Sequence, residues 1–264
     1  MNIDLSGKNA FVFGASKGIG KAIAISLASL GANVTLAARS ADKLAEISLE
    51  LNQSRISVGQ DHDYLVVDGN DPIDIKRKLF LLTEGKTYHI LVNNTGGPPA
   101  GPILSADWEA FHQALQMHLH CSHLAVQLMA EKMKSAGFGR IINIISTSVR
   151  MPIDGLGVSN TTRAAMASWA KTLAAELAPF GITVNNILPG FTATERLDAL
   201  MEIWAKQNGL SKEEQIKQSK AYIPMNRFGT PQEIADVAAF LACPAASYLT
   251  GTSIIVDGGR TKCL

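Results

Sequence analysis

Seven short apolar runs recur along the chain with helical periodicity between them, and this alternation restricts the fold more than any other feature. The runs are "NAFVFG" (9–14), "NVTLAA" (33–38), "DYLVVD" (63–68), "HILVNN" (89–94), "RIINIIS" (140–146), "TVNNILP" (183–189) and "TSIIVDG" (252–258). They are rich in Val and Ile and mostly do not alternate with polar residues, as expected of parallel strands buried on both faces. Helical patterns fill the intervals at 19–30, 41–53, 72–84, 105–134, 159–178 and 231–242. Parallel neighbours need crossover connections, which such helices supply. The expectation is an α/β fold of Rossmann type, a doubly wound, seven-stranded parallel sheet with helices on both faces.

No repeat, linker or low-complexity tract interrupts the pattern, so residues 1–264 read as one domain. With 47% hydrophobic and 18% charged residues the composition is globular. A net charge of +1 gives no electrostatic footprint for nucleic acid. No apolar run approaches the roughly 20 residues of a spanning helix, and "MNIDLSGKNAFVFGAS" resembles no signal peptide. The three scattered cysteines, Cys121, Cys243 and Cys263, fit a reducing compartment. The expected location is the cytoplasm, with neither membrane nor nucleic acid among the partners.

One connection is irregular. Between Pro189 and Gly229 lie about forty residues, where such loops typically need roughly two to six. Within it Leu197, Leu200, Met201 and Trp204 follow i, i+3, i+4, i+7, an amphipathic helix with one apolar face. An insertion after a strand's carboxyl end sits where such sheets bind ligands. The segment at about 191–228 is therefore expected to be a lid over an apolar substrate, with a subunit contact as the alternative.

The glycine-rich turn "FGASKGIG" places Gly14, Gly18 and Gly20 between the first strand and the first helix. Such glycines let backbone approach a pyrophosphate, whose charge the helix N-terminus favours. The next strand indicates which dinucleotide is bound. A fold that prefers NAD places an acid near that strand's end for the ribose 2′-hydroxyl. Here "TLAARSADK" puts Arg39 after Ala38 with no acid at the tip, and Lys17 adds a cation in the glycine turn. Two cations and no carboxylate fit the 2′-phosphate of NADP(H) better than they fit NAD(H).

Taken together, "GASKGIG" (14–20), "NNTGG" (93–97), "IINIIS" (141–146), "LPGFTAT" (188–194) and "TGTSIIVDGG" (250–259) resemble the short-chain dehydrogenase/reductase family over essentially the whole chain. The resemblance looks closest to its 3-oxoacyl-(acyl carrier protein) reductase-like branch. It implies that Ser16, Lys17, Ile19 and Gly20 line the phosphates and ribose, that Arg39 and Ser40 stand at the 2′ position, and that Asp68 meets the adenine. It implies further that Asn94, Thr95 and Gly96 pass beside the adenosine ribose and pyrophosphate, while Pro189, Gly190, Thr192 and Thr194 frame the nicotinamide. Thr95 stands where the family usually has alanine. A homotetramer is also implied, with the 231–242 helix and the last strand in one interface.

The catalytic positions depart from that pattern. The family uses an asparagine, a serine, and a tyrosine and lysine spaced Y-x-x-x-K. Here Ser146 fills the serine slot, but Ser159 and Arg163 stand in the tyrosine and lysine slots, and His118 in that of the asparagine. A serine hydroxyl is a far weaker acid than a phenol, and an arginine cannot deprotonate in a relay. Arg163 can still hold positive charge and bond a ribose. For the proton, His118 is one source; it shares a stripe with Phe111, Leu115, Ser122 and Met129 and so points inward. Tyr222 and a water held by Ser146 and Ser159 are others. His112, His120 and His123 lie near one side of the same helix, but no acid or cysteine set at ligand spacing joins them. They read as helix surface or subunit contact, with no metal.

Two functions remain open at this level. One is an NADP(H)-dependent oxidoreductase interconverting a hydrophobic ketone or aldehyde, with 3-oxoacyl compounds among the candidates, and its alcohol, with Ser146, Ser159, Arg163 and His118 as the catalytic set. The other is a protein that binds NADP(H) or senses a ligand without turnover.

Overall fold

The computed structural model describes residues 1–263. Each apolar run forms a strand: β1 (Asn9–Phe13), β2 (Asn33–Ala38), β3 (His62–Val66), β4 (Ile90–Asn93), β5 (Gly139–Ile144), β6 (Ile182–Pro189) and β7 (Ser253–Val256). They pair in the order β3-β2-β1-β4-β5-β6-β7, all parallel. The order reverses between β1 and β4, which opens a crevice at the carboxyl ends of the strands.

Helices α1 (Gly18–Ser29), α2 (Ala41–Gln53) and α3 (Pro72–Gly85) follow the first three strands. After β4 come α4 (Trp108–Leu115) and α5 (Cys121–Ser135), then α6 (Gly157–Leu177) after β5, and α7 (Glu195–Asn208), α8 (Lys212–Ala221) and α9 (Pro231–Ala242) between β6 and β7. Leu27 of α1, Leu44 of α2 and Leu241 of α9 join Val12, Leu36 and Ile142 in the core on one sheet face. Leu79 of α3, Met129 of α5 and Ala170 of α6 join Phe11, Leu91 and Val184 on the other. This two-sided burial is why the strands carry nearly continuous apolar runs.

Two elements differ from expectation. The single helix expected over 105–134 begins at Trp108, capped by Asp107, and is interrupted at Gln116–His120. There the backbone widens by one residue, so that Cys121 donates to the Gln116 carbonyl, an i→i−5 bond. The long insertion holds two helices rather than one. Leu197, Leu200 and Met201 are buried as the α7 pattern requires. Helix α8 escapes apolar periodicity because its buried residues are Gln215 and Ser219, bonded to each other at 3.1 Å. Among the described residues no helix is long and apolar enough to cross a membrane.

A row of buried amides crosses the sheet just below the crevice. Asn93 Nδ2 donates to Asn143 Oδ1 at 2.8 Å, Asn143 Nδ2 to Asn186 Oδ1 at 2.9 Å, and Asn186 Nδ2 to Ser253 Oγ at 3.1 Å. These residues are register partners on β4, β5, β6 and β7. The row fixes the register of four strands relative to one another, and three of those strands lead directly into the site.

Candidate active site

The glycine turn is shaped by backbone that comes too close for side chains. Gly14 leaves β1 at a φ of 64°, and a Cβ there would lie 2.3 Å from the Asn94 carbonyl oxygen. A Cβ on Gly20 would lie 2.2 Å from the Gly14 oxygen. Asn94 closes the turn from β4, its Nδ2 donating to the carbonyls of Phe13 and Gly14 at 3.3 and 3.4 Å. Gly18 begins α1 beneath Thr194, with Ser16 and Ile19 half-buried on either side. No side chain caps α1, so its first N–H groups remain for an anionic ligand. Gly96 has open space around it. The cradle therefore fits a dinucleotide's phosphates.

At the ribose end the two expected cations behave differently. Arg39 and Ser40 are exposed after β2, and Arg39 pairs with no carboxylate among the described residues. Lys17, in contrast, pairs with Glu195 at the start of α7 and holds that carboxyl below the usual carboxylate range. One unengaged arginine stands where the sequence led us to expect two free cations. Asp68 follows β3, half-buried, and accepts from the backbone and side chain of Asn70, both at 3.1 Å.

On the far side, β6 ends at Pro189 and the Gly190 N–H donates to Val256 at 2.9 Å. The Thr192 hydroxyl donates to the Gly190 carbonyl, and the Thr194 hydroxyl to the Thr192 carbonyl, both at 3.2 Å. Thr194 also caps α7 by accepting the Leu197 N–H at 3.3 Å. Both hydroxyl protons are thus committed within the loop, and backbone is what this segment offers a ligand.

The four positions in the catalytic slots gather at the ends of β4 and β5. Ser146 follows β5, and its Oγ accepts the Ser148 N–H at 3.0 Å, leaving its own proton free to donate. Ser159 lies half-buried in the first turn of α6, and its hydroxyl has no bonding partner among the described residues. One helical turn on, the Arg163 guanidinium is buried and donates to the carbonyls of Ile144 at 3.0 Å and Thr95 at 3.3 Å. Among the described residues it pairs with no carboxylate; burial, with the charge of Arg196 added, pulls its pKa down to about 10. It is still a cation at neutral pH.

His118 sits on the widened turn between α4 and α5, 1% exposed. Its Nδ1 is hydrogen-bonded to the Thr95 hydroxyl, and its Nε2 is buried without a partner. The Ser122 hydroxyl donates to its backbone carbonyl at 2.6 Å, which helps hold the turn. Burial, reinforced by the charge of Arg163, keeps the imidazole well below the usual histidine pKa, so it is neutral at pH 7. Thr95 therefore joins the two, its hydroxyl to His118 and its carbonyl to Arg163.

The other candidates stand apart. Tyr222 ends α8, 76% exposed. His123 faces the Trp169 indole at 3.4 Å, His112 approaches Glu109 at 3.7 Å, and His120 is exposed. Among the described residues no group of three His, Cys, Asp or Glu could hold a metal. Sequence reasoning passed over Arg196, two residues beyond Thr194, whose Nη2 donates to the Pro98 carbonyl at 2.6 Å. It also passed over the amide row, for which asparagine inside three apolar strands was the available signal.

The family model for enoyl-(acyl carrier protein) reductase matches residues 14–261. The chain is similar to the NADPH-dependent reductase BacG of Bacillus subtilis, at 32% identity over 261 residues, covering 98% of this chain and 99% of that protein. It is similar at 33% over 263 residues to the 3-oxoacyl-[acyl-carrier-protein] reductase FabG of Aquifex aeolicus, covering 98% and 99%. Among solved structures, L-sorbose reductase from Gluconobacter frateurii complexed with NADPH and L-sorbose superposes with a TM-score of 0.92 at 30% identity, over 100% of both chains.

Proposed function

The chain belongs to the short-chain dehydrogenase/reductase family, and on that premise we propose that it is an NADP(H)-dependent oxidoreductase interconverting a carbonyl compound and an alcohol. The observation that carries the reading is the connection His118–Thr95–Arg163. Each of these residues departs from the family's usual one, and Thr95 bonds to both of the others, its hydroxyl to His118 and its carbonyl to Arg163. The replaced positions are thus joined by hydrogen bonds inside the site, which supports a working arrangement.

The dinucleotide is held by the Gly14, Gly18 and Gly20 turn with Ser16 and Ile19, by Asn94 and Gly96, and by the Pro189–Thr194 backbone, with Asp68 at the adenine. Arg39 and Ser40 receive the 2′-phosphate. When bound, the nicotinamide supplies or accepts the hydride. Ser146 and Ser159 hold the substrate oxygen by donating their hydroxyl protons, and Arg163 keeps positive charge beside the oxygen as negative charge grows there. His118 moves a proton rather than storing charge. As Nε2 gives its proton to the substrate oxygen, Nδ1 takes the Thr95 hydroxyl proton, and Thr95 recovers one from solvent. General acid help of this kind typically contributes about 10²–10⁴-fold.

The 191–228 segment serves as the lid, with Lys17–Glu195 and Arg196 to Pro98 bridging from α7 to the loops beneath it. Phe191 and Trp204, with ring centroids 5.8 Å apart, give the pocket an apolar wall suited to a hydrophobic ketone or aldehyde. A 3-oxoacyl chain is one member of that class, supported by the similarity to the Aquifex reductase. The half-exposed edge strand β7 supports a homotetramer, and three free cysteines support a reducing, cytoplasmic setting.

The test is NADPH oxidation over a panel of ketones and aldehydes, run beside Ser146→Ala. Turnover that falls at least about 100-fold in the variant is expected. Tight dinucleotide binding with no oxidation of NADPH by any carbonyl would leave a binding protein instead, and unchanged turnover in Ser146→Ala would remove that serine from the chemistry.

A further inference from the structure

The loop after β4 is held by two guanidinium groups. Arg163 donates to the Thr95 carbonyl from below, at 3.3 Å, and Arg196 donates to the Pro98 carbonyl from α7, at 2.6 Å. The lack of a side chain at Gly97 lets Arg196 lie against the loop, since a Cβ there would be 3.3 Å from Nη2 and 3.7 Å from Nε. Two cations are thus anchored three residues apart on one stretch of backbone.

Among the described residues no carboxylate pairs with Arg163 or Arg196. Glu195, which precedes Arg196 in sequence, is engaged by Lys17. The charge of Arg196 is felt at Arg163, where it lowers the pKa. Arg196 is itself accessible to solvent and uses only Nη2 on Pro98. Both forks with which a guanidinium takes a planar acceptor include Nη2, which gives one N–H to Pro98 and keeps a second, so one fork, with Nε or with Nη1, remains for a carboxylate.

Arg196 shares α7 with Trp204, which lies beside the loop after β5. Gly101 and Leu156 pair as a short parallel bridge between the loops after β4 and β5. The Trp204 indole lies 3.8 Å from the Cβ position of Gly155, and Phe191 packs against Trp204. Aromatic rings of α7 and of the segment before it thus lie beside the loop after β5, Arg196 of the same helix lies against the loop after β4, and the connection from β5 to α6 carries Ser146 and leads to Ser159.

We propose that Arg196 is a specificity-determining residue that binds a carboxylate of the substrate, which makes the substrate class oxo acids with an apolar body rather than neutral ketones. The inference rests on the oxidoreductase reading and deepens it. The carbonyl sits at the two serines while the carboxylate meets the free edge of Arg196. Arg163 remains with the reacting oxygen. An alternative use of the same charge, on the dinucleotide pyrophosphate, is separable by experiment.

The experiment is calorimetric titration of the protein saturated with NADP⁺, in which no hydride can be given to a ketone. The probes are 2-oxo-4-phenylbutanoate and 4-oxopentanoate, each beside its methyl ester. The acids are expected to bind at least about tenfold more tightly than the esters. In Arg196→Gln that preference disappears, in Arg196→Lys it survives in part, and NADP⁺ affinity changes less than about twofold in both. Thermal denaturation establishes that the variants are folded. Equal binding of acid and ester, no binding of either acid, or an acid preference that persists in Arg196→Gln would overturn the assignment. So would a loss of NADP⁺ affinity in Arg196→Gln as large as the loss of acid affinity, because the charge would then serve the dinucleotide. If the unaltered protein takes up no NADP⁺, the oxidoreductase reading fails, and the same titration without dinucleotide still decides the carboxylate site.

Discussion

The Thr95 hydroxyl is hydrogen-bonded to His118 Nδ1 while the Thr95 carbonyl accepts from Arg163 Nη2 at 3.3 Å. A single threonine thereby sets both the orientation of a buried neutral imidazole and that of a buried cation. The charge on Arg163 in turn helps to keep the imidazole unprotonated. The pair gives the site a fixed positive charge next to a group able to pass a proton without becoming charged itself.

This arrangement makes the fold sensitive to acid. The folded-state pKa of His118 is depressed and the unfolded value is near 6.5, so between the two the unfolded chain binds more protons. The stabilisation from neutral His118 is full above about pH 6.5 and is lost as pH falls from there toward the folded pKa, by up to about 1.4 kcal/mol per pH unit. His62 and His89 are depressed too and titrate in the background. In His118→Asn, urea midpoints should therefore fall less steeply below pH 6.5 than in the unaltered protein. Parallel curves would place no titration at His118.

Among the described residues Arg39 has no carboxylate partner, in contrast to Lys17. Hydrogen bonds to a charged group contribute about 1.5–3 kcal/mol. Arg39→Ala is expected to weaken NADPH binding roughly 10- to 100-fold while leaving NADH binding within about twofold. Fluorescence titration with both dinucleotides reads the difference; equal losses would assign Arg39 a general structural role.

Gly14→Ala forces a Cβ to within 2.3 Å of the Asn94 oxygen at a φ of 64°. The left-handed conformation alone costs about 1–2 kcal/mol, and the collision with backbone adds to it. A fall in Tm of more than about 5 °C is expected. Gly59→Ala, where nothing lies within 4 Å, serves as the control and should change Tm little.

The amide row makes a separate demand on stability. Asn143→Leu leaves Asn93 Nδ2 and Asn186 Oδ1 without the partners they have at 2.8 and 2.9 Å. Each unpaired buried group costs about 1–3 kcal/mol, so a loss of roughly 2–5 kcal/mol is expected by urea denaturation. A loss below about 1 kcal/mol would mean that the row does not tie the strands.

Much of the fold is legible in the sequence because it rests on local patterns. Runs such as "NAFVFG" and "NVTLAA" can only be strands when both faces are buried, and their order with the intervening helices gives the doubly wound sheet. The patterns end where local structure depends on something other than apolar spacing. Apolar spacing carries no mark of the one extra residue at Gln116–His120. It also misses α8, whose buried face is polar, although the Ser211–Glu214 capping box marks that helix's start. Within the site, the sequence marks His118 and Arg163 through their slots and correctly turns His118 inward. It cannot reveal that Thr95 bonds to both, since those contacts span 23 and 68 positions. Nor does it reveal that Lys17 is taken by Glu195, 178 positions away.

The rebuilt site is expected to turn over without the usual phenol and ammonium, and restoring that pair gives the comparison. NADPH oxidation is measured over a ketone and aldehyde panel, with 2-oxo acids included, for the unaltered protein beside the Ser159→Tyr, Arg163→Lys double variant. The account predicts substrate-dependent turnover by the unaltered protein, lowered at least about 100-fold by His118→Gln. Turnover by the double variant alone would contradict it: the pocket would then be intact while the native residues His118, Ser159 and Arg163 carry no chemistry.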